Sequence, residues 1–236
     1  AAAARAAVAA GDPDGALARY QDATTAGAST AIVAEHVALL ERLGRTDDAV
    51  AVAAAHHRAD DERLDAALLH GEALLAAGDA DGAARLATRL FAHAPTAAVA
   101  ALRGAALVQA GELDAGLAAA RAALAIDPRD ARALRTVATA QRTQGDLDAA
   151  AAALDAGLAA APRDAGLWLE RALLANLRGD AATAMASAQR ATTFAPDDGT
   201  AWYVLGELHR LAGATDDAHA AYGRSLASPR PHPKAA

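Results

Sequence analysis

The chain has 236 residues, 54% of them apolar and only 3% aromatic, with a net charge of −7 and no cysteine. The negative charge argues against sequence-independent binding to nucleic-acid phosphates. The absence of cysteine excludes disulfides and thiolate chemistry, and no apolar run approaches the roughly 18 residues of a membrane span. We therefore expect a soluble chain that neither binds nucleic acid nor inserts into a membrane. The excess of arginine and alanine indicates a GC-rich bacterial gene, while the compartment, cytoplasm or periplasm, stays open.

The chain repeats itself with a period of 33 or 34 residues. GELDAGLAAARAALAIDPRD at 111–130 returns as GDLDAAAAALDAGLAAAPRD at 145–164. The same period separates seven glycines, which are Gly11, Gly44, Gly78, Gly111, Gly145, Gly179 and Gly213. Five residues after each glycine stands a small residue, in order Ala16, Ala49, Ala83, Gly116, Ala150, Ala184 and Ala218. A fixed period of this length is typical of a solenoid of stacked units.

Each unit is predicted to contain two helices, because alanine and leucine favour helices and strand-forming residues are scarce. The predicted repeats lie at approximately 1–29, 30–63, 64–96, 97–130, 131–164, 165–198 and 199–227. Together they form a single predicted domain over residues 1–227. Residues 228–236 hold three prolines and are predicted to be a tail or linker. The first repeat lacks the start of its first helix, since Ala1 already falls at the fifth place.

The fifth repeat shows most clearly where the helices begin and end. Asp130 and Asp146 are predicted to cap the first and second helix, because a carboxylate there accepts an unpaired backbone N–H. Gly145 is expected in the left-handed conformation that ends a helix, and Pro162 stops the second helix. Small residues at the eighth and twentieth places should let the paired helices approach closely. Those at the eighth place are Gly71, Gly104, Ala138, Ala172 and Gly206.

Histidines are concentrated in the second and third repeats. His36 and His70 share the seventh place of successive repeats, and His56 and His57 lie between them. No HExxH or Cys/His spacing accompanies them, so we predict neither a metal site nor a cofactor. We expect these side chains to be half-buried between helices, each with a backbone or carboxylate partner.

Signals of catalysis are absent from the sequence. There is no glycine-rich loop between a strand and a helix, no GxSxG and no cysteine nucleophile. The paired carboxylates, such as Asp216 and Asp217, fall at predicted helix starts, where negative charge is favoured without any acid–base role. We therefore predict that the chain is not an enzyme. An enzyme and a nucleic-acid binder remain the alternative classes to a protein-binding scaffold.

The last repeats resemble a known family. The stretch WYVLGELHRLAGATDDAHAAYGRSL begins at Trp202, followed by Leu205 and Gly206 at the W-x-x-L-G spacing and by Tyr222. This is similar to the tetratricopeptide pattern, and Trp168 stands at the same place one repeat earlier. The resemblance covers about seven repeats and is weaker in the first two, which lack the terminal proline. It implies an all-α fold, a right-handed α-α superhelix of helical hairpins whose first helices line a concave groove that binds segments of other proteins.

Helical periodicity also predicts which residues face this groove. At about 100° per residue, places 2, 5, 9, 12 and 13 of a first helix lie opposite its packed face. The predicted groove residues are Arg132, Arg135, Thr139, Arg142, Leu169, Leu173, Asn176, Tyr203, Glu207 and Arg210. An arginine-rich strip beside an apolar shelf suits an extended peptide with carboxylates and an apolar anchor. The alternative is that these arginines are ordinary solvated surface.

We therefore predict a non-catalytic protein–protein interaction scaffold within a larger protein or assembly. The alternative is a regulatory or substrate-presenting module attached to a catalytic or secretion and assembly domain outside this chain. Solenoids need polar caps over their terminal units, and neither end of this array has one. We accordingly expect a further domain at an end, or self-association there.

Overall fold

The computed structural model describes residues 1–229, 231, 232 and 234, and these form fourteen α-helices joined by short turns. In chain order the helices are α1 (Ala2–Ala9), α2 (Pro13–Thr25), α3 (Thr30–Arg42), α4 (Thr46–Ala59), α5 (Leu64–Ala76), α6 (Ala80–His93), α7 (Ala97–Gln109), α8 (Leu113–Ile126), α9 (Ala131–Gln144), α10 (Leu147–Ala160), α11 (Ala165–Leu177), α12 (Ala181–Phe194), α13 (Gly199–Leu211) and α14 (Thr215–Ala227). The all-α prediction is confirmed. No helix of the described residues is long and apolar enough to cross a membrane.

The helices pack as consecutive antiparallel pairs, one pair in each predicted repeat. We call the odd-numbered helices first helices and the even-numbered ones second helices. Contacts divide the chain into two compact units, residues 1–95 and residues 96–236. The single domain expected over residues 1–227 stays a prediction.

Local sequence signals set the helix ends as expected. The Asp130 carboxylate accepts a hydrogen bond from the Ala133 N–H at 2.8 Å, and that of Asp146 accepts one from Ala149 at 3.1 Å. Gly145 follows α9 with a φ of 88°, a conformation that side-chain-bearing residues rarely adopt. Because these signals recur with the period of the sequence, helix pairs of similar length recur along the chain.

Small residues allow the two helices of a pair to approach each other closely. Ala150 and Ala184, at the twentieth place of their repeats, are fully buried. Between α7 and α8 the approach is closer, since a Cβ added at Gly104 would lie 2.9 Å from the backbone nitrogen of Ala120. The prediction of small residues at the helix–helix contacts is therefore confirmed.

Each tryptophan connects its first helix to the end of the preceding repeat. The Trp202 indole N–H donates a hydrogen bond to the carbonyl oxygen of Pro196, in the turn before its own helix, at 2.7 Å. On the ring of Trp202 lies the guanidinium of Arg224, 4.5 Å from the ring centroid. Trp168 makes the same pair of contacts one repeat earlier. These tryptophans are thus structural residues rather than part of a binding surface.

In the second unit the first helices form a continuous layer. Helix α9 contacts both α7 and α11, and α11 contacts α13, in addition to the second helices that follow them. No contact of comparable extent joins successive second helices in the described part of this unit. Because the first helices lie closer together than the second helices, the first-helix side is the inner side of the layer.

Candidate functional site

The candidate site is the side of α9, α11 and α13 that faces away from their second helices, which we call the first-helix face. All ten predicted groove residues lie on these three helices, and each is exposed or half-buried. On the opposite side of α9, Leu134, Val137 and Ala138 are buried. On α9 the predicted groove residues are therefore separated from these buried positions.

An ion pair crosses this face between α9 and α11. The Arg142 Nε lies 2.8 Å from a carboxylate oxygen of Glu170, and the two side chains are only 20% and 15% exposed. Arg142 is thus neither ordinary solvated surface nor open to a ligand carboxylate. Sequence reasoning missed Glu170, although a glutamate 28 residues after an arginine, in the next repeat, is a signal that could have found it.

Two further arginines of the predicted groove set lie near the start of α9. Arg135 extends over Gly166, where any Cβ would clash with its guanidinium, and reaches to 3.6 Å from the Asp164 carboxylate. Arg132 is half-buried one turn earlier. The Thr139 hydroxyl donates to the carbonyl oxygen of Arg135 within its own helix, at 3.0 Å. The Thr139 hydroxyl is therefore used within its own helix, whereas the Arg135 guanidinium makes a longer contact of 3.6 Å.

Leucines form an apolar row along α11 and reappear at the end of α13. Leu169 and Leu173 are half-buried, one turn apart. Leu177 and Leu211, at equivalent places of successive repeats, are 58% and 61% exposed. Asn176 is exposed beside Leu177. Among the exposed leucines and isoleucines of the described residues, Leu177 and Leu211 are the two most exposed.

Tyr203 on α13 is enclosed by other rings. Its ring centroid lies 5.8 Å from that of Tyr222 on α14 and 3.9 Å from that of His232, with which it stacks at 12°. Glu207, one turn along α13, accepts hydrogen bonds from Arg210 at 2.7 Å and from the Tyr222 hydroxyl. These two donors hold the pKa of Glu207 below its usual range. Glu207 and Arg210 therefore form an ion pair with each other. Tyr203, the predicted aromatic anchor, is covered by the imidazole of His232.

The four histidines singled out in the sequence, His36, His56, His57 and His70, lie in the first unit and contact side chains of neighbouring helices. His36 is only 2% exposed, and its Nδ1 lies 3.2 Å from the hydroxyl of Thr24. The Nε2 of His56 lies 2.9 Å from the hydroxyl of Thr30. The expectation of half-burial is wrong for His36, and the expected backbone or carboxylate partners are wrong for both residues. Threonine hydroxyls, which can donate or accept, satisfy the imidazoles instead.

His57 on α4 and His70 on α5 are each other's partners. Their Nδ1 atoms lie 3.2 Å apart, so one imidazole donates while the other accepts. Burial lowers the pKa of both, and the positive charge of Arg89 adds to this effect. No group of three or more metal-ligating side chains occurs in the described residues. This pair is therefore a structural contact that requires at least one neutral imidazole.

A second polar cluster in the first unit was not predicted. The Glu35 carboxylate accepts hydrogen bonds from the Arg5 guanidinium and the Tyr20 hydroxyl, each at 2.8 Å. These donors lower the pKa of Glu35 to about 2. The cluster lines a cavity of about 270 Å³ that also contacts Leu39 and Arg42. The repeat pattern could not predict this cluster, because Arg5 lies in the shortened first repeat.

Comparison with known families decides what this array of helix pairs is. A family model described as tetratricopeptide repeat matches residues 68–131, 137–199 and 180–236. The chain belongs to the tetratricopeptide repeat family. The matches leave out residues 1–67, where the repeats also lack the terminal proline. The tetratricopeptide fold generally serves as a scaffold for protein–protein interaction, and its repeats are generally non-catalytic.

Solved structures confirm the tetratricopeptide fold. A tetratricopeptide repeat protein from Parabacteroides merdae aligns with a TM-score of 0.67 at 17% identity, over 98% of this chain and 91% of that one. A thermophilic tetratricopeptide protein of Thermus thermophilus aligns with a TM-score of 0.62 at 26% identity, over 71% and 91%. The structure of MamA aligns with a TM-score of 0.50 at 19% identity, over 66% and 92%. A search of curated sequences found no significant match.

Proposed function

We propose that the first-helix face of the second unit binds an extended segment of a partner protein. The observation that supports this most directly is the row of leucines on α11 and α13. Leu177 and Leu211 expose more than half of their side chains at equivalent places of successive repeats, next to the half-buried Leu173. Burial of such side chains stabilises a complex by about 25 cal/mol for each Å² of apolar surface removed from water. These leucines therefore supply the apolar part of the contact.

The polar part of the contact lies at the start of α9. Arg142 is held by Glu170, so it forms one wall of the site rather than a donor to the ligand. Arg135 has a longer contact, 3.6 Å to Asp164, which leaves room for a closer hydrogen bond to a carboxylate of the partner. Arg132 lies one turn earlier on the same helix. Because guanidinium–carboxylate hydrogen bonds are directional and strong, acidic residues of the partner segment bind at this end and an apolar residue binds near Leu173.

A pair of matched substitutions tests the apolar row. Leu177→Asp places a charge on the first-helix face, whereas Ile126→Asp places one at the end of α8, where Ile126 is 54% exposed against 58% for Leu177. Peptides selected from a random display library on the full chain provide the ligand. We expect Leu177→Asp to weaken their binding about tenfold or more, or by about 1.4 kcal/mol, and Ile126→Asp to leave it unchanged. Equal effects of the two substitutions would contradict the proposal.

A second experiment tests the charged end. Replacing both Arg132 and Arg135 by Glu should slow the association of an acidic peptide and reduce its salt dependence, because charge complementarity acts mainly on the association rate. The helical circular-dichroism spectrum should not change, since both side chains are accessible. An association rate and salt dependence equal to those of the parent chain would exclude these arginines from the site.

A further inference from the structure

The tail that follows α14 returns to α13. Helix α14 ends at Ala227, and the Ser228 hydroxyl then donates to the carbonyl oxygen of Ser225 at 2.7 Å. Four residues later the imidazole of His232 stacks on the ring of Tyr203, with 3.9 Å between centroids and 12° between the ring planes. The tail thus reaches the residue that the sequence predicts as the aromatic anchor of the groove.

The contact involves more than one pair of rings. On another side, Tyr203 contacts the ring of Tyr222. The Lys234 backbone N–H donates to the Nδ1 of His232 at 3.3 Å, which fixes the imidazole as an acceptor at that nitrogen. The ammonium of Lys234 is near enough to Glu207 to lower the pKa of that carboxyl further, after the larger effects of Arg210 and Tyr222. The tail therefore presents a planar ring to Tyr203.

These contacts define the chemistry that the end of the first-helix face accepts. A tyrosine ring binds planar rings by stacking. We propose that His232 is an intramolecular ligand of this site, and that a partner segment displaces it with a ring-bearing residue. The competition with a partner rests on the function proposed above, whereas the tail contact itself does not.

Nuclear magnetic resonance of the histidine ring protons in the full chain tests the tail contact. The His232 signals are assigned with His232→Gln and compared with those of a synthetic peptide of residues 228–236. We expect them to be shifted upfield by the Tyr203 ring, with the imidazole titrating at a lower pH than in the peptide. Tyr203→Phe should keep both effects because the stacking face remains, and Tyr203→Ala should abolish both. Identical signals in the parent chain and in Tyr203→Ala would overturn the inference.

Dilution separates an intramolecular contact from an exchange of tails between two copies. The upfield shift should be independent of protein concentration, because a short linker keeps the tail at an effective concentration in the millimolar range. A shift that disappears on dilution would mean that the tail of a second copy occupies the site, which would overturn the proposal of an intramolecular ligand.

Competition is tested by adding the same peptide in trans. We expect it to bind the full-chain variant His232→Ala about threefold more tightly than the parent, whose own tail occupies the site. A control peptide with alanine in place of the histidine should bind neither. Equal affinity for parent and variant would overturn competition. Loss of the Leu177 effect described above would instead refute the proposed function while leaving these tail measurements intact.

Discussion

Replacing Gly104 by alanine tests how closely the paired helices approach each other. At an exposed helix position this change stabilises a protein by about 1 kcal/mol, because glycine has a low helix propensity. Here the added Cβ would lie 2.9 Å from the backbone nitrogen of Ala120 and 3.1 Å from the carbonyl oxygen of Gly116. Backbone atoms cannot rotate away, so α8 must shift, and overpacking of this kind costs about 1–3 kcal/mol. We expect a net loss of about 1 kcal/mol in the free energy of unfolding, where propensity alone predicts a gain.

Gly223 on α14 provides the matched control. It also lies inside a helix, but a Cβ there would meet no atom within 4 Å. Gly223→Ala should therefore raise the free energy of unfolding by up to about 1 kcal/mol. Urea denaturation followed by circular dichroism measures both variants. If Gly104→Ala raises the midpoint as much as Gly223→Ala does, then α7 and α8 are farther apart than described and the role assigned to the small residues is refuted.

Three further predictions concern packing and pH. Ala150→Leu should lower the free energy of unfolding by about 1–3 kcal/mol through overpacking. Ala152→Leu, at an exposed place on the same helix, should not lower it. Equal urea midpoints of the two variants would show that the helical register is wrong. Trp202→Phe should lower the free energy of unfolding by about 0.5–1.5 kcal/mol, measured by thermal or urea denaturation, because the hydrogen bond to the preceding turn is lost. An unchanged free energy of unfolding would show that this hydrogen bond does not stabilise the fold. Burial lowers the pKa of His57 and His70 in the folded chain, so the unfolded chain binds protons more readily. The urea midpoint should therefore be constant above about pH 7 and fall as the pH decreases through about 6.5. The variant His57→Gln should show a weaker dependence of the midpoint on pH. A pH profile of the variant identical to that of the parent would contradict this prediction.

The fold could be predicted from the sequence because its determinants are local and repeated. A capping aspartate such as Asp130 and a turn glycine such as Gly145 act on their own helix ends, and the period carries the same assignment along the chain. The twentieth-place residues are buried as predicted because a shared register gives each of them the same neighbours. Even the accessible side of α9 follows from helical periodicity alone.

The partners of the accessible side chains could not be predicted in this way. The pairing of Arg142 with Glu170 depends on how two helices from different repeats are placed side by side. The stacking of His232 on Tyr203 depends on the path of a proline-rich tail, to which no periodic pattern applies. Both contacts change which side chains of the first-helix face can bind a ligand, because the first engages Arg142 and the second covers Tyr203.

Leucine methyl resonances measure most directly whether the first-helix face of the second unit is the binding surface. The full chain is labelled at leucine methyl groups and titrated with a peptide selected on it from a display library. We predict that the resonances of Leu173, Leu177 and Leu211 shift during the titration, whereas that of Leu226, on the second helix α14 and 47% exposed, does not. Shifts confined to Leu226 and to other leucines of second helices would place the binding surface on the opposite side of the layer and contradict the proposal.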